Sequence, residues 1–393
     1  LQMVSQDLRS KPQWTPDGRH LWLSAEAPHE LLRRKVIASL DGTEIVVPDL
    51  PGSAQLSPQG NRVAWTETDL YGESALWVAD IVPHAALPNL GNRRRLLQVA
   101  SPLARYRRGE RRLLRWPSGD GLTIAGILIL PVDYHPGRRY PLIVDLHGGP
   151  QKGLMGSSGN PTPGALLVTS SLEADLWAAK GYVVLMPDYR GSGMYGFQAI
   201  DATRKDASID DRNLEDIMSS VDTVIAQGIA DKSRMVVIGH SHGALLTNWI
   251  VTHSHRFRAA ISYEGGSASP WLVWGAMGTV NRYLNILYGS ALEYPERYWR
   301  RSALGVTHGV TTPVLWVADY GGARLGNVYA WLHAAWLFQG VETQYRIYAE
   351  NSHVLRDPDN QRDLLTAGIE WVDRHLTAAS TGSSTAPPAT ATR

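Results

Sequence analysis

From about residue 101 onward, the chain alternates between short apolar runs and segments with a helical spacing of apolar residues. The runs predict strands at residues 122–130, 142–146, 182–186, 235–238, 259–263, 313–317 and 343–348. Helices are predicted at residues 172–180, 211–227, 325–338 and 361–376. This alternation indicates an α/β fold, with a mostly parallel sheet covered by helices on both faces. Such sheets place their functional sites at the carboxyl ends of the strands.

The first hundred residues follow a different pattern. Residues 14–22 and 56–65 each join a tight turn to an alternating strand, and they begin 42 residues apart. This spacing is typical of the blades of a β-propeller, which needs at least four blades to close. Residues 1–100 therefore predict a partial β-propeller-like all-β segment, with an ordinary small β-sheet as the alternative. We expect an α/β domain to follow at residues 101–377, and a disordered tail rich in Ser, Thr, Ala and Pro at residues 378–393.

The composition narrows the possible functions. With 38 Lys and Arg against 37 Asp and Glu, the net charge of +1 gives no excess to attract a polyanion, so we expect no nucleic-acid partner. The arginine clusters at residues 93–95 and 107–115 are interpreted as solvated surface near a linker. The chain has no Cys, and its 13 His are scattered. This distribution predicts no metal site and no cofactor.

The distribution of apolar residues also bears on the cellular location of the protein. The chain contains no apolar run of membrane-spanning length, and residues 1–11 are too polar for a signal peptide. We therefore expect a cytoplasmic protein without a membrane partner. Because the first residue is Leu, the sequence is also compatible with a fragment or a processed product.

Residues 239–243 carry the clearest chemical signal, because they read Gly-His-Ser-His-Gly between a predicted strand and a helix-like segment. This G-x-S-x-G pattern is typical of a nucleophile elbow, a sharp strand-to-helix turn that exposes the central serine. Ser241 is therefore the candidate nucleophile. The alternative is a glycine-rich turn with a solvent-facing serine.

A serine nucleophile needs a base and donors for the developing oxyanion. His353 is the candidate base, because it lies in a polar loop after the last predicted strand, in the order that α/β-hydrolases use. Residues 147–150 read His-Gly-Gly-Pro after the strand at 142–146, where a glycine-rich turn can expose a backbone N–H. His242, directly after the serine, would supply the second N–H. The side chain of His242 is interpreted as a wall of the site, and that of His240 as a packed neighbour of the elbow.

With these motifs in view, the chain resembles the prolyl oligopeptidase family, especially its acylaminoacyl-peptidase and dipeptidyl-peptidase-like branches. The resemblance also includes residues 188–196, which read Asp-Tyr-Arg-Gly-Ser-Gly-Met-Tyr-Gly. It implies a propeller that limits access to an α/β-hydrolase domain, which cleaves short peptides through an acyl-enzyme. It further implies that the backbone N–H groups of Gly149 and His242 form the oxyanion hole.

The chain departs from this family at the catalytic acid. The family's acid follows the strand at residues 313–317, and the matching position here is Gly322. Asp319 is one candidate replacement if its loop refolds. Glu264, at the end of the strand at 259–263, is another. A serine–histidine dyad or a degraded site is the third possibility.

We therefore expect a serine hydrolase that cleaves peptide or related amide bonds, with reduced turnover if the acid is displaced or missing. An esterase and a catalytically silent relative that binds peptides are the alternatives. Residues 270–277, rich in Trp, Leu, Val and Met, predict either an apolar specificity pocket or core packing. The oligomeric state is left open.

Overall fold

The computed structural model describes residues 13–15, 18–27, 32–39, 44–51, 53–82, 89–100, 103–149, 170–192, 208–265, 284–285, 288–319, 323–350 and 353–377. The predicted tail at residues 378–393 lies outside these ranges.

Two four-stranded antiparallel sheets form the described part of the N-terminal segment. The first contains β1 (Gln13–Trp14), β2 (His20–Ala27), β3 (Leu32–Ser39) and β4 (Glu44–Pro51). The second contains β5 (Gln55–Leu56), β6 (Arg62–Thr68), β7 (Ser74–Val82) and β8 (Asn89–Val99). In both sheets the strands lie side by side in chain order, as they do in a propeller blade. The prediction of a propeller-like all-β segment is confirmed.

The two similar sequence segments form the same turn. The backbone N–H of Gly18 donates to the carbonyl of Thr15 at 2.9 Å, and that of Gly60 donates to Ser57 at 2.9 Å. Both glycines have a positive φ, of 68° and 71°. Since glycine adopts such angles at no steric cost, the repeated glycine fixes the repeated turn.

Apolar side chains of the two small sheets pack together. Trp22 and Leu50 of the first sheet share a buried cluster with Val63 and Trp65 of the second. Each sheet therefore covers a face of its neighbour, which is how propeller blades gain a core.

The C-terminal part contains, within the described residues, a mixed sheet of eight strands. These are β9 (Arg111–Pro117), β10 (Thr123–Ile129), β11 (Tyr140–Leu146), β12 (Val183–Asp188), β13 (Ala230–His240), β14 (Ala259–Tyr263), β15 (Val314–Asp319) and β16 (Thr343–Tyr348). Their order is β9-β10-β12-β11-β13-β14-β15-β16. Strand β10 runs antiparallel to β9 and β12, and the pairs from β12 to β16 are parallel. The predicted mostly parallel sheet is confirmed.

Helices cover both faces of this sheet. They are α1 (Ser170–Ala179), α2 (Ile209–Ala226), α3 (His242–His253), α4 (Pro295–Arg300), α5 (Ala323–Phe338) and α6 (Pro358–Thr377), with a short 3₁₀ helix at Ala303–Val306. Buried residues of α1 and α6 pack against one face, and those of α2, α3 and α5 pack against the other. Across the described parts of the chain, no helix is long and apolar enough to cross a membrane.

The interpretation of residues 107–115 as solvated surface is wrong for two of the arginines. The side chains of Arg108 and Arg111 are only 7% and 5% exposed, and both pair with Asp175 of α1, at 3.0 and 2.7 Å. Arg111 also donates to the carbonyl of Leu70 at 2.7 Å, and both guanidinium groups pack over the ring of Tyr71. These arginines therefore connect the second small sheet to the large domain. The buried carboxylate of Asp175 compensates for the hydration that their guanidinium groups lose.

Candidate active site

Ser241 lies at a strained turn between β13 and α3. Its φ of 58° and ψ of −117° are unusual for a residue with a side chain. A Cβ added to Gly239 would lie 2.2 Å from the carbonyl oxygen of Gly243, and one added to Gly243 would lie 1.9 Å from that of Leu146. The two glycines of the motif are thus required by the close approach of three backbone segments, as in a nucleophile elbow.

The structure brings Ser241 and His353 together. Oγ of Ser241 lies 2.8 Å from Nε2 of His353, although the two residues are 112 positions apart in the sequence. If the imidazole is neutral, the serine hydroxyl donates this hydrogen bond, and Nδ1 on the far side of the ring carries the proton. This is the arrangement in which a histidine can act as a general base toward serine.

Neighbouring residues hold the histidine loop in place. His240 donates from Nε2 to the carbonyl of His353 at 2.9 Å, and the two rings lie 4.7 Å apart. The hydroxyl of Tyr263 accepts a hydrogen bond from the backbone N–H of Leu355 at 2.9 Å. His240 is buried, as expected for a packed neighbour of the elbow. The loop is therefore tied to the ends of β13 and β14.

Of the acid candidates, Glu264 is the one whose side chain the structure describes. Its Oε2 lies 3.7 Å from Nδ1 of His353, which is ion-pair range but longer than a hydrogen bond. Asp319 is the last residue of β15, and its backbone pairs with that of Tyr348. The side chain of Asp319, and Gly322, lie outside the described part of the structure.

The turn after β11 approaches the nucleophile closely. A Cβ added to Gly148 would lie 3.2 Å from Cβ of Ser241, which is tighter than an ordinary contact, so a larger residue there would require Ser241 to shift. Gly149 is the next residue and is half-buried. His242 is the first residue of α3, so its backbone N–H lies at the N-terminal end of the helix, next to Ser241. The turn and the helix start thus flank Ser241, as an oxyanion hole requires.

His147 supports this turn, a role that the motif analysis missed. Its Nδ1 donates to the carbonyl of Gly148 at 2.7 Å, and its Nε2 lies 3.0 Å from Oγ of Ser192 and 3.2 Å from Asp188. Tyr189 stacks on the imidazole at 4.5 Å. The sequence does contain a signal for this role. The motifs at residues 147–150 and 188–196 each follow a strand, and the carboxyl ends of neighbouring parallel strands meet at one edge of a sheet.

The His242 imidazole is buried beside Tyr189, with ring centres 5.8 Å apart. Burial lowers the pKa of His242 to about 3, with a smaller contribution from His147. The ring is therefore neutral at neutral pH and shapes the interior next to the nucleophile.

In the described ranges, no group of three or more His, Asp or Glu side chains is placed to hold a metal ion. The apolar segment at residues 270–277 lies outside these ranges, so its two interpretations stay predictions.

The profile of the Prolyl oligopeptidase family matches residues 168–379, which is more than half of the chain. The chain belongs to the prolyl oligopeptidase family. The resemblance seen in the sequence is confirmed. Ser241, Glu264 and His353 all lie within the matched region.

Several curated relatives are similar to the chain. The uncharacterised peptidase YuxL of Bacillus subtilis is 30% identical over 270 residues, which cover 67% of this chain and 39% of the relative. Acylamino-acid-releasing enzyme 1 of Oryza sativa is 26% identical over 250 residues, covering 60% of this chain and 30% of the relative. Dipeptidyl-peptidase 5 of Porphyromonas gingivalis is 23% identical, covering 67% and 37%. The chain therefore spans less than half the length of these relatives.

Solved structures show the same fold. The dipeptidyl peptidase 4 of Porphyromonas gingivalis superposes with a TM-score of 0.72 at 16% identity, covering 95% of this chain and 51% of that one. The acylaminoacyl peptidase of Pyrococcus horikoshii gives 0.63 at 22% identity, covering 92% and 62%. Both likenesses extend over the small sheets as well as the large domain, which confirms the predicted fold class.

Proposed function

We propose that this chain is a serine hydrolase that cleaves peptide bonds, with Ser241 as nucleophile and His353 as general base and acid. The contact of 2.8 Å between Ser241 Oγ and His353 Nε2 carries this proposal. Family membership supports it, because relatives are named as an acylamino-acid-releasing enzyme and a dipeptidyl-peptidase. We also propose that residues 101–377 form the catalytic domain and residues 1–100 an accessory propeller-like domain.

The chemistry would proceed in two steps. Oγ of Ser241 attacks the carbonyl carbon of the substrate while Nε2 of His353 takes the hydroxyl proton and then delivers it to the leaving amine. An acyl-enzyme on Ser241 remains. Water, activated by the same imidazole, releases the acyl group and restores the serine.

The oxyanion of each tetrahedral intermediate would lie between the turn after β11 and the start of α3. The backbone N–H groups of Gly149 and His242 are the proposed donors. The approach of Gly148 to Ser241 supports this placement. The loss of a single such donor typically lowers kcat by about 10² to 10³.

The proposed substrates are short peptides. The relatives named acylamino-acid-releasing enzyme and dipeptidyl-peptidase support this class, and the net charge of +1 does not favour a polyanion. A cytoplasmic location, expected from the sequence, stays a prediction.

Matched substrates with the same acyl peptide, one an aryl anilide and one an aryl ester, test the function. We expect the purified protein to hydrolyse both, and Ser241→Ala to hydrolyse neither. Ester cleavage without anilide cleavage would identify an esterase. No cleavage of either substrate by folded protein would favour a silent relative that only binds peptides.

A further inference from the structure

We propose that Glu264 is the positioning acid of this site, in place of the family's acid on the loop after β15. The inference rests on the proposed function. Its Oε2 lies 3.7 Å from Nδ1 of His353, on the side of the ring opposite to Ser241. The serine, the imidazole and the carboxylate thus follow each other in the order that general-base catalysis by a triad requires.

The backbone around Glu264 is fixed to both partners. Tyr263, the preceding residue, accepts a hydrogen bond on its carbonyl from the N–H of Ser241 at 2.9 Å. Its hydroxyl accepts one from the N–H of Leu355, two residues after His353, at 2.9 Å. A single residue therefore links the elbow to the histidine loop, and the backbone of the next residue, Glu264, is held close to both.

Glu264 itself has a strained backbone, with a φ of 53°. Its N–H donates to the carbonyl of Val317 at 3.0 Å, which holds the chain in this conformation at the end of β14. A left-handed conformation costs a residue with a side chain about 1 kcal/mol or more, and such strain clusters at functional sites. Here it accompanies a carboxylate that lies 3.7 Å from Nδ1 of His353.

Because the Glu264 carboxylate is buried, a nearby positive charge would stabilise its ionised form. The side chain of Glu264 is 1% exposed, whereas that of His353 is 52% exposed. Burial raises the pKa of Tyr329 and Tyr345, and the nearby Glu264 carboxylate raises both further. The imidazolium that forms during catalysis would offset the cost of a buried negative charge, and the carboxylate would stabilise the imidazolium in return.

The distance of 3.7 Å exceeds a hydrogen bond. Catalytic hydrogen bonds are often long in free enzymes and shorten in the substrate complex. A small movement of the exposed imidazole toward the buried carboxylate would close the gap. The usual acid position carries Gly322, which has no side chain to compete for Nδ1.

Kinetics of Glu264→Gln test the inference. A glutamine can donate to Nδ1 and so favour the wrong tautomer; loss of the acid from a triad lowers kcat by up to about 10⁴. We expect kcat to fall by at least about 10²-fold with KM changed little, because the residue acts through His353 and does not touch the substrate. Glu370→Gln, which changes an exposed glutamate on α6, is the matched control, and its kcat should stay within about threefold of wild type.

A second-site variant separates positioning from folding. Combining Glu264→Gln with Gly322→Asp returns a carboxylate to the family's usual position and should recover at least about tenfold in kcat. A damaged fold would not be rescued in this way. Wild-type kcat in Glu264→Gln, or a large loss in Asp319→Asn with none in Glu264→Gln, would overturn the inference. An inactive wild-type protein would instead refute the proposed function.

Discussion

Replacing Glu173 by glutamine is expected to stabilise the protein at high pH but not at low pH. Glu173 of α1 and Asp145 of β11 are both buried against the same face of the large sheet. Burial raises the pKa of Glu173 from 4.5 to about 7. It also raises the pKa of Asp145 well above its ordinary value, with a further contribution from the Glu173 charge.

The magnitude follows from proton linkage. The unfolded chain releases the Glu173 proton near its ordinary pKa of 4.5, whereas the folded chain retains it to about pH 7. Between these values the unfolded state binds fewer protons, so the free energy of unfolding falls as pH rises. One pKa unit corresponds to about 1.4 kcal/mol, and the ionised Glu173 therefore costs roughly 3 kcal/mol above about pH 7.

Urea denaturation measured from pH 4 to 8 checks this prediction. In the wild type, the indole N–H of Trp177 donates to Oε1 of Glu173 at 3.4 Å. The amide oxygen of the glutamine in Glu173→Gln keeps this acceptor. The free energy of unfolding of the variant should match wild type near pH 4 and exceed it by roughly 3 kcal/mol near pH 8. Glu370→Gln, which changes an exposed glutamate on α6, is the control and should show no such trend. A pH-independent difference between wild type and Glu173→Gln would refute the reasoning.

Two further predictions concern stability. Ser241→Gly should be about 1 kcal/mol more stable than Ser241→Ala in thermal or urea unfolding, because glycine relieves the positive φ of the elbow; equal stabilities would contradict the strain. Asp175→Asn should cost about 3 kcal/mol in urea unfolding, because it removes the buried charge that Arg111 and Arg108 share and leaves Arg108 with Glu73 at 3.9 Å. A cost below about 0.5 kcal/mol, typical of surface changes, would show that this ion-pair cluster contributes little.

The sequence predicts the central strands of the large sheet well because they are buried on both faces and read as continuous apolar runs. The predicted strands at residues 259–263 and 343–348 have the bounds of β14 and β16. Strand β9 is not predicted, because Arg111 and its neighbours are charged and are interpreted as solvent-exposed surface. Only the fold supplies the Asp175 carboxylate that allows Arg111 to be buried.

The candidate site likewise contains one feature that the sequence reveals and one that only the fold supplies. The elbow at Ser241 is visible in the sequence because the two glycines that its close backbone contacts require lie within one five-residue pattern, although Gly243 approaches Leu146 of β11. The relation of Glu264 to His353 has a long-range cause. It depends on a left-handed turn after β14 and on a loop 89 residues later in the chain, and neither leaves a periodic pattern in the sequence.

Labelling with a fluorophosphonate probe, followed by peptide mapping, tests the central claim most directly. We expect the probe to phosphonylate Ser241 in folded wild-type protein, His353→Ala to react at least about 10²-fold more slowly, and Ser241→Ala to carry no label at this position. A folded wild-type protein that stays unlabelled at Ser241, or labelling of His353→Ala at the wild-type rate, would contradict it.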